Sequence, residues 1–102
     1  HPCTLWAAKS ADNWSWLLQH GLAMCSEYSR RYGRIHKSEA VIMWCARLKI
    51  SFPESGRTPF AQAMPPQYRN ECAVTAYRAY YHGEKAAIAT WKSEVPQWWT
   101  AA

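Results

Sequence analysis

The chain has 102 residues, about the length of one domain, and we expect a single helical domain over residues 1–102. Its hydrophobic content of 49% and aromatic content of 15% exclude a disordered chain, because this much apolar surface can form a core. Twelve Lys and Arg against seven Asp and Glu give a net charge of +5, which favours an anionic partner such as nucleic acid. No run approaches the roughly 20 apolar residues of a membrane span, so we expect no membrane partner and a cytoplasmic location.

The first predicted element is a helix from Asp12 to Tyr32. Its apolar residues recur at steps of three and four, which places them on one face: Trp14, Leu17, Leu18, Gly21, Leu22, Cys25, Tyr28 and Tyr32. Either Ser10 or Asp12 can cap its start by accepting a backbone hydrogen bond. Gly33 suits the left-handed residue that follows a helix, so the predicted end is well marked.

A second helix is predicted from Ser38 to Lys49. One face carries its apolar residues, which are Val41, Trp44, Cys45 and Leu48. Ser38 is the expected cap. Glu39 in the first turn and Arg47 and Lys49 in the last turn agree with the helix dipole.

After the second helix, the sequence predicts a long connection and a third helix. Residues 51–71 contain four prolines and one glycine, which exclude a long helix or central strand. The third helix is predicted from Ala73 to Trp91, with a kink or a close contact at Gly83 and no regular structure beyond Pro96. The predicted fold is all-α: a compact three-helix domain with a long Pro-rich loop between helices 2 and 3.

The densest group of cations lies in the stretch RRYGRIHK. Arg30 and Arg31 end the first helix, where the helix dipole alone favours cations. Arg34 and Lys37, with His36 between them, follow in the turn before the second helix, and the dipole of the first helix does not explain the charges of Arg34 and Lys37. Cations beside a helix N-terminus predict a phosphate-binding corner.

Catalytic and metal chemistry have no comparable pattern. The four cysteines, Cys3, Cys25, Cys45 and Cys72, form no C-x-x-C pair, so we favour free thiols, with two disulfides or a metal site as alternatives. The histidines are scattered, and Glu27 and Glu84 are interpreted as solvated charges or members of ion pairs. We therefore predict no catalytic residue, no metal and no cofactor.

Trp98 and Trp99 follow Pro96 near the end of the chain. They could stack on nucleic-acid bases, since aromatic stacking contributes about 1 to 3 kcal/mol per base. Alternatively, they close the core from outside. The pattern alone leaves both readings open.

Several segments together resemble a known group of proteins: HPCTLW, NWSWLLQHGLAMCSEYSRRYG, TPFAQAMPPQY, AYRAYYHGEKAAIATW and PQWW. Nearly the whole chain is similar to phage and bacterial proteins of unassigned function. More distantly, it resembles the pyrimidine-dimer DNA glycosylases of the phage endonuclease V type. That resemblance implies a helical domain that binds duplex DNA, in the host cytoplasm if the protein is phage-encoded.

The same resemblance carries candidate DNA contacts onto Arg30, Arg31, Arg34, Lys37, Trp98 and Trp99, and we add His36 from the same basic stretch. Arg57 and Gln62 are further candidates in or beside the TPFAQAMP loop, which either approaches the DNA groove or merely covers the helices. The family's amine nucleophile and carboxylate would precede His1, so the resemblance implies DNA binding without catalysis in this chain. One alternative is the C-terminal part of a glycosylase or lyase whose catalytic segment lies upstream of His1. Another is a phage protein-interaction module that binds a host protein.

Overall fold

The computed structural model describes residues 1–91 and 94–100. The chain is mostly helical, at 62%, and the described residues contain no strand, so the all-α prediction is confirmed. Five α-helices lie within the described ranges: α1 Pro2–Lys9, α2 Ala11–Tyr32, α3 Ser38–Cys45, α4 Ala73–Tyr80 and α5 Gln97–Thr100. The three-helix count is therefore not confirmed.

Short turns of other helical types join these elements. A 3₁₀ turn, Pro66–Tyr68, lies between α3 and α4, while a π-helical turn, Tyr81–Lys85, and a second 3₁₀ turn, Ala86–Ile88, continue the path of α4. The backbone groups into an N-terminal unit, Thr4–Thr58, and a C-terminal unit that combines His1–Cys3 with the described residues from Pro59 onward. The single-domain organisation stays a prediction, and the two units are described separately below.

The start of α2 is built around two fully buried polar residues, Ser10 and Asn13. Ser10 has an extended backbone, and its hydroxyl accepts the Asn13 N–H at 3.0 Å, so Ser10 is the cap. A cap of this kind stabilises a helix by about 1 kcal/mol. The Asn13 side-chain amide donates to the Trp6 carbonyl at 2.8 Å and to the Thr58 hydroxyl at 2.8 Å. The Asn13 carbonyl oxygen in turn accepts the Thr58 N–H at 2.9 Å, which ties the end of α1 and the Thr58 segment to α2.

Helix α3 packs on α2 through Ile42 and only one member of the predicted apolar stripe, Cys45. A Cβ built on Gly21 would lie 2.9 Å from Ile42 Cδ1, so the glycine makes room for that side chain. Ile42 and Cys45 are half-buried, whereas Val41, Trp44 and Leu48 are exposed. The four cysteines are free thiols, with Cys25 buried.

Two other expectations for the second helix are wrong. Ser38 is not the cap, because it is already the first helical residue and the cap position, Lys37, makes no side-chain capping bond. The helix ends at Cys45 rather than at Lys49, so Arg47 lies beyond its last turn. Two hydrogen bonds tighten the chain at that end. The Arg47 N–H donates to the Trp44 carbonyl at 3.1 Å, and the Leu48 N–H donates to the Cys45 carbonyl at 3.1 Å.

In the C-terminal unit, α4 is shorter than predicted because the helix type changes after Tyr80. A Cβ on Gly83 would lie 2.3 Å from the Tyr68 hydroxyl, so this glycine allows the close contact that its position predicted. The Tyr77 hydroxyl donates to the Ala61 carbonyl at 2.8 Å and accepts the Ala63 N–H at 3.2 Å, which fixes the preceding segment against α4.

The prediction that regular structure ends at Pro96 is also wrong. Helix α5 begins directly after this proline, and the Trp99 N–H donates to the Pro96 carbonyl at 3.0 Å. Proline lacks a backbone N–H and has a fixed φ, and neither property opposes the first turn of a helix. Pro96 therefore starts a helical turn instead of preventing one.

Candidate nucleic-acid interface

The candidate site lies where α2 ends and the chain turns toward α3. Gly33 adopts the left-handed conformation, with φ +65°, and its N–H donates to the Ser29 carbonyl at 2.9 Å. Glycine reaches this conformation without the steric cost that a side chain adds. The next four residues, 34–37, are all exposed. The local sequence thus places three basic side chains, Arg34, His36 and Lys37, on one exposed turn, which we call the basic corner.

Arg30 and Arg31, one turn earlier, are both held by the Glu27 carboxylate. Arg30 Nε donates to Glu27 Oε1 at 3.1 Å and to Oε2 at 3.2 Å, and Arg30 Nη2 pairs with Oε1 as well. Arg31 Nε donates to the same Oε1 at 2.7 Å. These hydrogen bonds, from Arg30 first and Arg31 second, lower the pKa of Glu27 from 4.5 to about 2. The predicted ion pair for Glu27 is confirmed, and it offsets part of the charge of both arginines.

Arg34 and Lys37 differ from this pair. Both side chains are exposed, and neither forms a hydrogen bond or an ion pair with any residue in the described ranges. Among the residues that the structure describes, no anion therefore competes with an external phosphate for either charge. The basic corner contains the cations of the candidate site that are most open to a ligand.

His36 organises the turn itself. Its Nδ1 accepts the Ser38 N–H at 3.1 Å, and its carbonyl accepts the Glu39 N–H at 3.0 Å. Its ring also lies edge-on to Tyr28, with centroids 4.8 Å apart. Two N–H groups at the start of α3 are thus already bonded to His36, so the phosphate-binding capacity of the corner rests on its cations more than on the helix N-terminus.

The other predicted contacts do not join the basic corner. Arg57 is exposed in the N-terminal unit, one residue before Thr58, which Asn13 holds. Gln62, in the C-terminal unit, has both ends of its side-chain amide engaged: Oε1 accepts the Asn70 N–H at 3.0 Å, and Nε2 donates to the Asn70 carbonyl. A nucleic-acid contact from Gln62 would require it to give up one of these bonds.

Trp98 and Trp99 belong to an aromatic cluster of the C-terminal unit. The His82 ring stacks on Trp99 with centroids 4.9 Å apart, and His82 Nε2 lies 3.2 Å from the Trp98 carbonyl oxygen. The Arg78 guanidinium lies over the Trp98 ring at 5.4 Å, a cation–π distance. Both tryptophans are half-buried in these contacts, which favours their packing interpretation, while base stacking stays a prediction.

The charges are unevenly distributed along the chain. The N-terminal unit contains eight of the twelve Lys and Arg and four of the seven Asp and Glu, so its formal net charge is +4 out of +5. The residues of the basic corner therefore lie in the unit with the stronger positive field. Such a field raises the local concentration of an anionic ligand and speeds its association.

Comparisons with protein families, curated proteins and solved structures find no match for this chain. The resemblance to DNA glycosylases stays a prediction, and the function is argued from the residues alone. No helix in ranges 1–91 and 94–100 has the length and apolar character of a membrane span. Within the same ranges, no group of three or more His, Cys, Asp or Glu side chains could hold a metal ion.

Sequence reasoning identified the cations of the corner and an ion pair as one interpretation of Glu27, but it did not name the partners of Glu27 or the role of Asn13 at the start of α2. The role of Glu27 has a clear signal, since it lies three and four residues before two arginines and such neighbours meet on a helix surface. Asn13 has no comparable signal, because its partner Thr58 lies 45 residues away in sequence.

Proposed function

We propose that the N-terminal unit binds the phosphate backbone of duplex DNA through the basic corner, without catalysis by this chain. The observation that carries the proposal is the pair Arg34 and Lys37, two exposed cations with no acidic partner among the described residues. Arginine matches the planar geometry of phosphate oxygens, and lysine supplies a mobile point charge. Both belong to the unit with a formal charge of +4.

The exposure of the corner favours a long polyanion over a small anionic ligand. Residues 34–37 all face solvent, whereas small-molecule sites generally bury most of the ligand in a concave pocket. A duplex presents phosphates along an extended surface, so exposed cations can contact it without a cavity. Contacts of this kind fix the position of a protein on DNA but do not read its sequence.

Arg30 and Arg31 have a secondary role in this proposal. The Arg30 side chain is 48% exposed and the Arg31 side chain 17% exposed, so Arg30 is the more accessible of the two. A phosphate at Arg30 would compete with Glu27 for the guanidinium. We expect Arg30 to contribute less than Arg34 and Lys37, and Arg31 least.

The test is fluorescence anisotropy with a labelled duplex at low salt. The double variant Arg34→Ala/Lys37→Ala is compared with the matched control Arg47→Ala/Lys49→Ala, which removes the same charge from two other exposed cations of the same unit. We expect the first variant to lose at least tenfold in affinity and the control to lose less than threefold. Equal losses would mean that net charge alone drives binding, and no binding by the parent protein would overturn the proposal.

A further inference from the structure

One face of α3 remains exposed although its residues are apolar. Val41 is 59% exposed, Trp44 61% and Leu48 41%. Val41 and Trp44 are three residues apart on α3 and share one side of it. Leu48 lies three residues beyond the end of the helix, where its N–H donates to the Cys45 carbonyl. We call these three residues the α3 stripe.

The contact between α3 and α2 does not use the stripe. Ile42 fills the space above Gly21, and Cys45, one turn further along, is half-buried with it. An apolar stripe with an exposed tryptophan at its centre is typical of a protein interaction surface, since tryptophan is enriched among residues that dominate binding. Apolar residues at helical spacing bind most directly to the apolar face of another helix.

The charges around the stripe indicate the chemistry of that helix. Arg47 and Lys49 are exposed next to Leu48 and have no acidic partner within ranges 1–91 and 94–100. Lys37 precedes the helix at its other end, and the only acid in α3, Glu39, is half-buried. The rim of the stripe is therefore cationic at both ends.

This rim disfavours a second copy of the chain as the occupant. If two α3 stripes packed antiparallel, Lys37 of one copy would approach Arg47 and Lys49 of the other. If they packed parallel, each cation would approach its own equivalent. Like charges brought together in either arrangement oppose association, whereas acidic residues beside an apolar stripe would complement the rim.

We propose that the α3 stripe binds an acidic amphipathic helix of another protein, with Trp44 as the central contact and Arg47 and Lys49 pairing with its carboxylates. This surface uses residues other than Arg34 and His36 of the basic corner. Lys37, at one end of the rim, also belongs to the proposed DNA contact, whereas Trp44, Arg47 and Lys49 lie outside the basic corner.

The probe is a display library of peptides of about 18 residues, the length of five helical turns, with random residues at every position. Peptides are selected on the full chain and counter-selected on Trp44→Ser. The matched control is Leu5→Ser, which changes an apolar side chain that is 73% exposed outside the stripe. Circular dichroism melting verifies that each variant is folded.

We expect the enriched peptides to carry apolar residues at positions i, i+3, i+4 and i+7 together with an excess of Asp and Glu. The best peptide should bind the parent chain and Leu5→Ser equally, and Trp44→Ser at least tenfold more weakly. Arg47→Glu/Lys49→Glu should also bind it at least tenfold more weakly.

Three outcomes would overturn the proposal. The first is that no peptide distinguishes the parent from Trp44→Ser, or that the enriched peptides are basic or lack the helical pattern. The second is a concentration-dependent dimer in analytical ultracentrifugation that Trp44→Ser abolishes, which would identify a second copy as the occupant. The third is a loss of duplex DNA affinity in folded Trp44→Ser as large as in Arg34→Ala/Lys37→Ala, which would assign the stripe to nucleic acid.

Discussion

The two ends of helix α2 use polar residues in opposite ways. At its start, Ser10 and Asn13 are fully buried, and the Asn13 side chain bonds to Trp6 and Thr58. Beyond its end, Arg34 and Lys37 are exposed and have no partner among the described residues. A buried polar group must be hydrogen-bonded to be tolerated, whereas an exposed cation without a partner costs little and stays available to a ligand. The start of α2 therefore contributes more to the stability of the fold, and the turn beyond its end is the better candidate for binding an anionic ligand.

The largest effect is expected at Asn13. The substitution Asn13→Ala leaves the Trp6 carbonyl and the Thr58 N–H without their partners, the first bond being buried and the second part-buried. Each unsatisfied group costs about 1 to 3 kcal/mol, so we expect a loss of about 3 kcal/mol in the free energy of unfolding by urea denaturation. Gln19→Ala, which removes an exposed bond to Ser15 on the same helix, is the control and should cost less than about 0.5 kcal/mol. Similar losses in both variants would contradict the buried role of Asn13.

The second effect, at the other end of the helix, should be a loss of DNA affinity without a loss of stability. Arg34→Glu/Lys37→Glu should lower duplex DNA affinity about 100-fold at low salt, because two phosphate contacts are replaced by two repulsions. Its melting temperature should stay within about 2 °C of the parent, since neither side chain forms a hydrogen bond or an ion pair with a described residue. A variant that melts much earlier would show that these cations stabilise the fold instead.

The third effect concerns Gly33, which separates the paired arginines from the basic corner. Gly33→Ala would place a side chain at φ +65°, and its Cβ would meet no atom within 4 Å, so the backbone conformation alone sets the cost. We expect a loss of about 1 kcal/mol in the free energy of unfolding. A neutral result in urea denaturation would mean that the turn relaxes away from the left-handed conformation.

The smallest effect is expected at Glu27. Because its pKa is lowered from 4.5 to about 2 in the folded chain, its carboxylate stabilises the fold above pH 4.5, and this contribution is lost as the pH falls through about 2. Unfolding free energies of the parent and Glu27→Gln should therefore differ slightly at pH 7 and converge toward pH 2. A difference that does not depend on pH would contradict the ion pairs with Arg30 and Arg31.

Glu27→Gln also tests whether pairing with Glu27 limits the contribution of Arg30 and Arg31 to DNA binding. Removing the Glu27 charge releases Arg30 and Arg31 from competition, so Glu27→Gln should bind duplex DNA a few-fold more tightly than the parent at low salt. Unchanged anisotropy curves would indicate that the two arginines do not reach the DNA.

The sequence predicted α2 well because the signals at both ends are local. Ser10 caps the helix three residues before its bonded N–H, and Gly33 follows its last residue directly. The helix begins at Ala11, one residue before the predicted start, and ends at Tyr32 as predicted. Cations are also visible in sequence, so the basic corner could be named before the structure was known.

Features that depend on distant contacts were not predictable in the same way. Periodicity showed an apolar arc on α3 but not which edge of it meets α2, and that choice depends on Gly21, which lies 21 residues before Ile42. Gly83 predicted a kink or a close contact, but not that the contact would be with Tyr68, which lies in a separate 3₁₀ turn earlier in the chain. Helix α1 has only eight residues and little amphipathic pattern, so periodicity does not predict it.

The salt dependence of duplex binding tests the central claim most directly. Each phosphate contact contributes about 0.9 to the slope of log K against log salt concentration. If Arg34 and Lys37 each contact one phosphate, the slope for Arg34→Ala/Lys37→Ala should be shallower than that of the parent by about 1.8. The slope for Arg47→Ala/Lys49→Ala should match the parent. Equal slopes for the parent and the Arg34/Lys37 variant would contradict the assignment of the basic corner as the DNA contact.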